Sequence, residues 1–340
     1  MKTILKYLLI IGVVALAIYG FVRDMINVNL DNGDKMSVAY NGWLSVDGAK
    51  LVNRKNEEIQ LKGVSSHGLQ WFKDIYTKTN LERLKNSWGI NVFRIAMYSD
   101  PDADGYVKNP GLYDDVTRIV DDCIELDMYV IVDWHILNDK NPETHKEEAI
   151  EFFSKLAERY ADKPNVIYEI CNEPNGDDVK WAENVKPYAE EVIGKIREKS
   201  EKSLIIVGTP DFSRDLRSTG RDIIELPNIM YALHFYAGSE NGVLRDKIDD
   251  FREEGHAVFV SECGITDYSG DGEIHDENFK TWVDYLNEKK ISWVYWSFSN
   301  KNEGSALLSS QYTDYELDFN DYLSEAGKAV KEYFPPREQQ

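Results

Sequence analysis

The chain has 340 residues, of which 42 % are hydrophobic, and it carries a formal net charge of −21. This length allows a large buried core, arranged either as two domains or as one barrel of the largest single-domain kind. The strong negative charge argues against nucleic acid as a partner, since binding it requires a basic surface that displaces counterions, and favours a neutral or cationic partner.

The N-terminus carries the pattern of an export segment. Two lysines precede an uninterrupted apolar run over residues 7–22, which predicts that residues 1–23 lie outside the folded body. The run is longer than most signal-peptide cores and shorter than a span of about 20 residues, so two outcomes stay open. The segment is either a cleaved signal peptide or an anchor that tethers the protein to a membrane through residues 4–22. In both cases the body is expected to be extracellular, secreted or held at the cell surface.

Residues 24–37 show no sustained periodicity and are predicted to form a tether. One domain is expected to follow over residues 38–335, and residues 336–340 are expected to form a tail. Within this domain, residues 42–60 contain alternating runs around an Asp-Gly pair, which predicts a short β-hairpin before the main fold.

From residue 38 onward, short apolar or β-branched runs alternate with longer amphipathic stretches. The runs predict eight strands, which cover residues 58–66, 91–97, 128–134, 165–171, 203–209, 228–235, 256–263 and 291–298. Apolar residues three and four positions apart predict helices, the clearest over residues 112–127, 145–162 and 178–200. Eight alternating units predict parallel strands closed into a (β/α)8 TIM barrel of the α/β class. The alternative, an open doubly wound sheet, lacks a Gly-rich phosphate loop after the first strand.

Polar residues follow most of the predicted strands, and a TIM barrel brings the carboxyl ends of its strands to one face. We therefore expect one bowl to contain His67, Arg94, His135, Asn172, Glu173, His234, Tyr236, Glu262 and Trp296. Glu173 and Glu262 stand out, because an unpaired carboxylate buried in an apolar strand is costly. Two carboxylates across a cavity can act as acid and nucleophile on an acetal, the chemistry of glycoside hydrolysis. Their proximity raises the pKa of one, while a cation such as Arg94 keeps the other ionised.

We expect no metal or other cofactor. The sequence has no paired C-x2-C spacing, so free and mostly buried thiols are expected at Cys123, Cys171 and Cys263. An alternative is a hydrolytic metal site made by His67, His135, His234 and a carboxylate. Against it, the first strand lacks H-x-H and no helix carries H-E-x-x-H.

The strand-end segments resemble glycoside hydrolase family five, and most closely its bacterial endo-β-1,4-glucanases. The likeness is carried by GVSSHGLQWF (63–72), NVFRIAMY (91–98), VIVDWH (130–135), IYEICNEPNG (167–176), ALHFYAG (232–238), VFVSECG (258–264) and WVYWSFSNKNEGSALL (293–308). It covers essentially all of residues 38–335. The resemblance implies a retaining endo-glycosidase that hydrolyses internal β-1,4-glucosidic bonds of cellulose or related β-glucans by double displacement.

The resemblance also implies roles for the residues around the reacting bond. Glu173 would be the acid/base and Glu262 the nucleophile. Arg94 and Tyr236 would hydrogen-bond the nucleophile. Asn172 would contact the sugar 2-hydroxyl, where contacts strengthen in the transition state.

The binding cleft follows from the same resemblance. His135 and His234 would support the acid/base and the substrate near the scissile bond. Trp296 would lie under the sugar at the cleavage point, and His67 and Trp71 would contact the non-reducing side. The remaining supporting residues implied are Tyr98 and the two hydroxyl-binding groups Lys301 and Glu303.

One segment departs from the pattern of close relatives. They often have a Trp after the fifth strand, where this chain has Thr209-Pro210-Asp211-Phe212. Stacking on the leaving-group side therefore depends on Phe212, a smaller ring.

Two alternatives to a glucanase stay open. The chain could hydrolyse another β-glycan, such as mannan, mixed-linkage glucan, xylan or xyloglucan. It could also be a non-catalytic glycan-binding barrel that keeps the aromatic cleft. In each case we expect a monomer whose partner is a polysaccharide or oligosaccharide, with no nucleic acid.

Overall fold

The computed structural model of the chain describes residues 34–240 and 242–337. Its strands are β1 (Ser45–Asp47), β2 (Lys50–Val52), β3 (Lys62–Ser66), β4 (Val92–Tyr98), β5 (Tyr129–His135), β6 (Val166–Glu169), β7 (Ile205–Val207), β8 (Ile229–Tyr236), β9 (Val258–Gly264) and β10 (Trp293–Phe298). Strands β3 to β10 are parallel and close into one barrel, in which β10 pairs with β3. The predicted (β/α)8 barrel is confirmed.

Helices accompany the barrel strands: the first precedes the barrel, the last follows it, and the others lie between successive strands. They are α1 (Val38–Asn41), α2 (Leu69–Phe72), α3 (Lys78–Ser87), α4 (Leu112–Glu125), α5 (Lys146–Arg159), α6 (Lys186–Arg197), α7 (Leu216–Gly220), α8 (Val243–Glu253), α9 (Asp276–Glu288) and α10 (Glu325–Lys331). In α4, for example, Leu112, Val116, Ile119, Val120 and Cys123 are buried, as the three-and-four spacing predicts. Each such side chain contributes about 1.5–3 kcal/mol when fully buried.

Several elements are shorter than predicted. The fifth barrel strand covers Ile205–Val207 instead of residues 203–209, and the helix predicted from residue 178 begins as a π-helical turn at Trp181. The residue after β7 must be a glycine. A Cβ on Gly208 would lie 2.0 Å from the carbonyl oxygen of Cys171, so the chain can pass this point only without a side chain.

The predicted hairpin is formed by β1 and β2, and it closes the amino-terminal end of the barrel. Leu44 and Leu51 from this region form one hydrophobic cluster with Ile131, Ile206 and Phe259 of the barrel strands. A separate small cluster of Ala96, Tyr98 and Trp296 lies at the other end. One end of the barrel is thus filled by apolar side chains, and the polar site forms at the carboxyl ends of the strands.

The described part of the predicted tether contacts the body of the protein. Asn41 of the body donates to the Lys35 carbonyl over 2.8 Å, and Ser37 is buried and caps α1 by accepting a hydrogen bond from the Tyr40 amide. Asp34 forms an ion pair with Arg337 of the predicted tail. The predicted export segment, residues 1–23, lies outside the described residues. No helix within residues 34–240 or 242–337 combines the length and hydrophobicity that a membrane crossing requires. The three cysteines are buried and free, as expected.

Candidate active site

Glu173 and Glu262 face each other at the carboxyl end of the barrel. Glu173 follows β6, and Glu262 lies on β9, where it pairs in register with His234 of β8. One carboxylate oxygen from each glutamate and one ring nitrogen of His234 all lie within 4.8 Å of one another. This separation is close to the approximately 5–5.5 Å between the two carboxyl groups of retaining glycosidases. The side chain of Glu173 is 12 % exposed and that of Glu262 is 6 % exposed, so Glu262 lies deeper.

Both oxygens of Glu262 accept hydrogen bonds from fixed donors. Arg94 Nη1 donates to Oε2 over 3.2 Å, and the Tyr236 hydroxyl donates to Oε1 over 2.8 Å. Burial, together with the charge of Glu262, raises the pKa of Tyr236 well above its ordinary value, so the hydroxyl keeps its proton. The two donors fix the position of the carboxylate.

Arg94 is fully buried and is shared among three carboxylates. Besides Glu262, its Nε donates to Glu169 Oε2 over 2.7 Å, and its Nη2 lies 3.0 Å from Asp133 Oδ2. Burial opposes the charge of Arg94, but the three acids outweigh burial and raise its pKa. Burial would likewise raise the pKa of Glu169, yet Arg94 and His234 lower it to about 2.

Asp133 and Glu169 were not predicted as site residues. The only signal was a charged residue inside each of two apolar runs, MYVIVDW and NVIYEIC. Both side chains are fully buried, and the positive charge of Arg94 compensates for the cost of burying their carboxylates.

Asn172 and His135 are oriented by the same arginine. Arg94 Nη2 donates to Asn172 Oδ1 over 2.7 Å, which turns the amide nitrogen of Asn172 toward His135 Nε2 and the Ile136 carbonyl. His135 Nε2 must therefore accept, and its Nδ1 donates to Asp133 Oδ2 over 2.6 Å. Burial, aided by Arg94, lowers the pKa of His135 to about 4, so its ring is neutral. The partners of His135 are thus Asp133 and Asn172, and the partner of Glu173 is His234.

His234 connects Glu173 to a buried proton chain. Its Nδ1 lies 2.8 Å from Glu173 Oε1, and its Nε2 lies 3.0 Å from Ser261 Oγ. Because Ser261 donates its own proton to Glu169 over 2.7 Å, it must accept from His234 Nε2–H. One further proton then lies between Nδ1 and Glu173. Burial disfavours the imidazolium, but Glu169 and Glu173 raise the pKa of His234 to about 9. Ser261 is a third participant, after Asp133 and Glu169, that the sequence did not single out.

Aromatic rings line the cleft beside the two glutamates. Trp296 stacks on His135 with centroids 5.2 Å apart and planes at 13°, and its centroid lies 4.8 Å from that of His67. Tyr98 lies between His135 and Trp71, with centroid distances of 4.3 Å and 5.0 Å. Trp71 is 49 % exposed and offers a ring face to a ligand. Five predicted site residues therefore form one continuous aromatic surface.

Lys301 and Glu303 lie against His67. Lys301 and Glu303 form an ion pair of 2.6 Å, and His67 Nε2 lies 3.2 Å from Lys301 Nζ. Burial, with Lys301 and His135 nearby, lowers the pKa of His67 to about 2, so this ring is neutral. Lys301 and Glu303 therefore place polar groups directly beside the aromatic surface.

Phe212 lies on the opposite side of Glu173. It is 42 % exposed and sits in a turn where Asp211, Phe212 and Ser213 all have positive φ. The Phe212 amide donates to the Pro174 carbonyl, and Ser213 Oγ donates to the Asn172 carbonyl. These bonds hold the turn against the segment that carries Glu173.

The alternative metal site does not form from the three predicted histidines. Among the described residues, the only group of ligand atoms close enough to hold a metal is Glu173, His234 and Glu262. His67 and His135 do not belong to it. Both ring nitrogens of His234 and both oxygens of Glu262 already have protein partners, so this group is satisfied without an ion.

Comparison with known proteins identifies the family. Residues 52–302 match the profile of cellulase, glycosyl hydrolase family 5. The chain belongs to this family. It is 45 % identical over 295 residues to endoglucanase 5 of Pectobacterium carotovorum subsp. carotovorum, covering 87 % of this chain and 58 % of the relative. Endoglucanase N of Pectobacterium atrosepticum is also 45 % identical, covering 87 % of this chain and 66 % of the relative. The chain thus spans about three fifths of the length of these relatives.

Solved structures of the family share the barrel. Cellulase Cel5C_n superposes with a TM-score of 0.83 at 40 % identity, covering 88 % of this chain and 94 % of that structure. The catalytic domain of Thermobifida fusca endoglucanase Cel5A gives a TM-score of 0.83 at 35 % identity, covering 87 % and 98 %. A variant of that catalytic domain was solved in complex with cellotetraose.

The buried histidines predict a loss of stability in acid. His67 and His135 have pKa values near 2 and 4, against an ordinary value of about 6.5, so their neutral rings stabilise the fold fully above pH ~6.5. This contribution is lost as pH falls through the folded values. We expect the free energy of unfolding, measured by urea denaturation, to fall by on the order of 1–3 kcal/mol for His135 between pH 7 and 4.

His135→Asn should flatten this pH dependence, while His145→Gln, which changes a histidine outside the site, should keep it. Equal pH slopes in wild type and His135→Asn would show that His135 is not held neutral by the fold. His234 acts in the opposite direction. With a pKa near 9, its contribution is complete below pH ~6.5 and is lost as pH rises through 9.

Proposed function

We propose that this protein is an endo-acting hydrolase that cleaves internal β-1,4-glucosidic bonds of cellulose or related β-glucans with net retention. The observation that carries the proposal is the separation of at most 4.8 Å between oxygens of Glu173 and Glu262, at the mouth of one barrel. The endoglucanase names of relatives at 45 % identity support the substrate class. Cellotetraose bound to a Thermobifida fusca relative supports a β-glucan ligand.

The first step forms a covalent intermediate on Glu262. Its carboxylate attacks the anomeric carbon, and the bond from that carbon to the glycosidic oxygen breaks. Glu173 gives its proton to the departing oxygen. Arg94 and Tyr236 fix the attacking carboxylate, since each donates to one of its two oxygens. Because the site is buried, these donors are worth more than they would be in water.

The second step reverses the proton transfer. Once Glu262 is esterified, its negative charge is gone, which removes the repulsion that favoured protonation of Glu173. Glu173 then takes a proton from water as the water attacks the anomeric carbon and the ester bond to Glu262 breaks. Two displacements at one carbon restore the original configuration.

His234 stores the proton that Glu173 uses. The pair contains one mobile proton, which lies either on Glu173 Oε1 or on His234 Nδ1, across 2.8 Å. Ser261 and Glu169 keep Nε2 protonated through both steps, so only Nδ1 exchanges a proton with Glu173. The proton that reaches the leaving group is therefore shared by the two side chains.

The cleft suits a neutral, flat polysaccharide. A β-linked glucan exposes apolar C–H faces, which match the rings of Trp296 and Trp71, and equatorial hydroxyls, which match Lys301 and Glu303. No cofactor enters the proposed reaction. We also propose that the protein is a monomer and acts outside the cytoplasm, where its polymeric substrate is found.

The anomeric configuration of the first product tests the mechanism. With soluble cello-oligosaccharide as substrate, we expect proton NMR to record the β-anomer first and the α-anomer only through later mutarotation. Initial α-product would rule out double displacement. A panel of carboxymethyl-cellulose, mixed-linkage glucan, mannan, xylan and xyloglucan tests the substrate. The highest kcat/KM is expected on one of the two glucans, and a preference for mannan or xylan would contradict the substrate proposed.

A further inference from the structure

Tyr268 is the most exposed large hydrophobic side chain among the described residues, at 78 %. It lies in the loop that follows β9, the strand of Glu262. Single exposed aromatic rings are common on protein surfaces and need no explanation by themselves. Tyr268 is of interest because of where its ring lies relative to the candidate active site.

The loop that carries Tyr268 is well ordered by hydrogen bonds. The Tyr268 amide donates to Ser239 Oγ over 3.0 Å, which ties the loop to the end of β8. Asp267 accepts from both the amide and the hydroxyl of Ser269, at 2.8 Å and 2.5 Å. The Gly270 carbonyl accepts from the Ser305 amide, which ties the loop to the segment after β10. The backbone beneath Tyr268 is therefore fixed on two sides.

Tyr268 and Phe212 line the same cavity of about 330 Å³, which also contains Glu173 and His234. Phe212 comes from the loop after β7 and Tyr268 from the loop after β9, so the two rings reach the cavity from either side of β8. The cavity begins at the carboxyl group that protonates the departing oxygen in the proposed reaction. It therefore lies where the leaving-group sugar must be.

Polar groups complete the walls of this cavity. Arg214 and Glu240 are 3.8 Å apart, and Ser239 lies beside them. A glucose unit needs apolar surface for its C–H faces and donors or acceptors for its equatorial hydroxyls. Two rings with a carboxylate, a guanidinium and a hydroxyl provide both.

We propose that Tyr268 and Phe212 form a two-sided aromatic clamp for the leaving-group sugars, in which Tyr268 supplies the apolar surface that the small Phe212 ring lacks. The inference rests on the proposed function, since it needs a glycosidic bond to be cut at Glu173. It makes Tyr268 a determinant of how well the enzyme holds acceptors and leaving groups, not of the chemical step itself.

The partition of the covalent intermediate tests the clamp. Water and added cellobiose compete for this intermediate, and only cellobiose needs the leaving-group side. With an aryl cellobioside as donor, transfer to cellobiose yields cellotetraose and hydrolysis yields cellobiose, and Tyr268→Ala should lower the ratio of transfer to hydrolysis about tenfold, the loss of roughly half the burial of one large ring. Tyr268→Phe, which keeps the ring, should retain the ratio within about twofold. Leu226→Ala removes an apolar side chain before β8 that is as exposed as Phe212, at 42 %, and should leave both rates unchanged.

Cleavage of cellopentaose gives a second measurement. Without Tyr268, cleavage should shift toward bonds that leave fewer sugar units on the side of Phe212. An unchanged transfer ratio together with an unchanged cleavage pattern in Tyr268→Ala would overturn the clamp, as would equal losses in Tyr268→Ala and Tyr268→Phe. If the wild type does not cleave cellotetraose or cellopentaose at all, the proposed function fails, which is a distinct result.

Discussion

Glu262→Gln is expected to lower kcat on cellotetraose by at least about 10⁴-fold, because an amide cannot form the ester intermediate. The substitution keeps the shape of the side chain, and its one carbonyl oxygen can still accept from either Arg94 or Tyr236. Binding of cellotetraose, measured by calorimetry, should therefore persist within about tenfold. Glu151→Gln, an exposed change on α5, is the matched control and should have full activity.

Azide distinguishes the nucleophile from the acid. With an aryl cellobioside whose leaving group needs no protonation, Glu173→Ala still forms the intermediate on Glu262. Azide then attacks that intermediate from the opposite face, and we expect a β-cellobiosyl azide. In Glu262→Gly, azide takes the place of the missing carboxylate and attacks the substrate directly, so the α-azide is expected.

NMR of the two azide products assigns the roles independently of rates. The same anomer from both variants would remove the distinction between Glu173 and Glu262. The α-azide from Glu173→Ala together with the β-azide from Glu262→Gly would exchange the roles of acid/base and nucleophile. Turnover by Glu262→Gln close to that of the wild type would refute the double displacement altogether.

The barrel could be predicted from sequence because each strand is buried on both faces and reads as an apolar run. Its boundaries were less predictable. Whether a residue belongs to a strand depends on the partner strand, and close packing between neighbours is equally hard to predict, as at Gly208, which lies against the carbonyl of Cys171. This close approach results from tertiary packing, and its only sign in the sequence is a glycine.

The predicted site residues lie in or just after the strands, but two acids inside the strands were missed. Glu173 and Glu262 came together as the barrel geometry predicted. The role of Asp133 and Glu169 depends on their contact with Arg94. This contact joins separate strands, and a single sequence does not reveal it. The proposed role of Tyr268 is harder still to predict from the sequence, because its loop has no periodicity and the role depends on sharing a cavity with Phe212.

Arg94→Met is expected to be the most destabilising single change at the site, lowering the free energy of unfolding by about 3–5 kcal/mol. The reason is that Asp133, Glu169 and Glu262 would lose the only cation that contacts all three within the described residues. Urea denaturation at pH 7 measures the change. Arg159→Met removes an exposed ion pair with Asp121 and should cost no more than about 1 kcal/mol.

Arg94→Lys should not restore the wild type. Lysine keeps the charge, but its ammonium has three donors at one point, whereas the guanidinium of Arg94 reaches Glu169, Glu262 and Asn172 in different directions. We expect intermediate stability and a kcat lowered by about 10²-fold or more, because Glu262 is no longer held for attack.

Combining Arg94→Met with Glu169→Gln separates the two effects of the arginine. Removing a buried charge that has lost its partner should recover part of the stability, so the double variant should be more stable than Arg94→Met alone. Activity should stay low, since neither substitution restores the donor to Glu262. Additive destabilisation in the double variant would mean that Glu169 does not depend on Arg94 for compensation. Recovery of kcat would mean that Arg94 acts on the reaction only through stability, and its hydrogen bond to Glu262 would then have no part in catalysis.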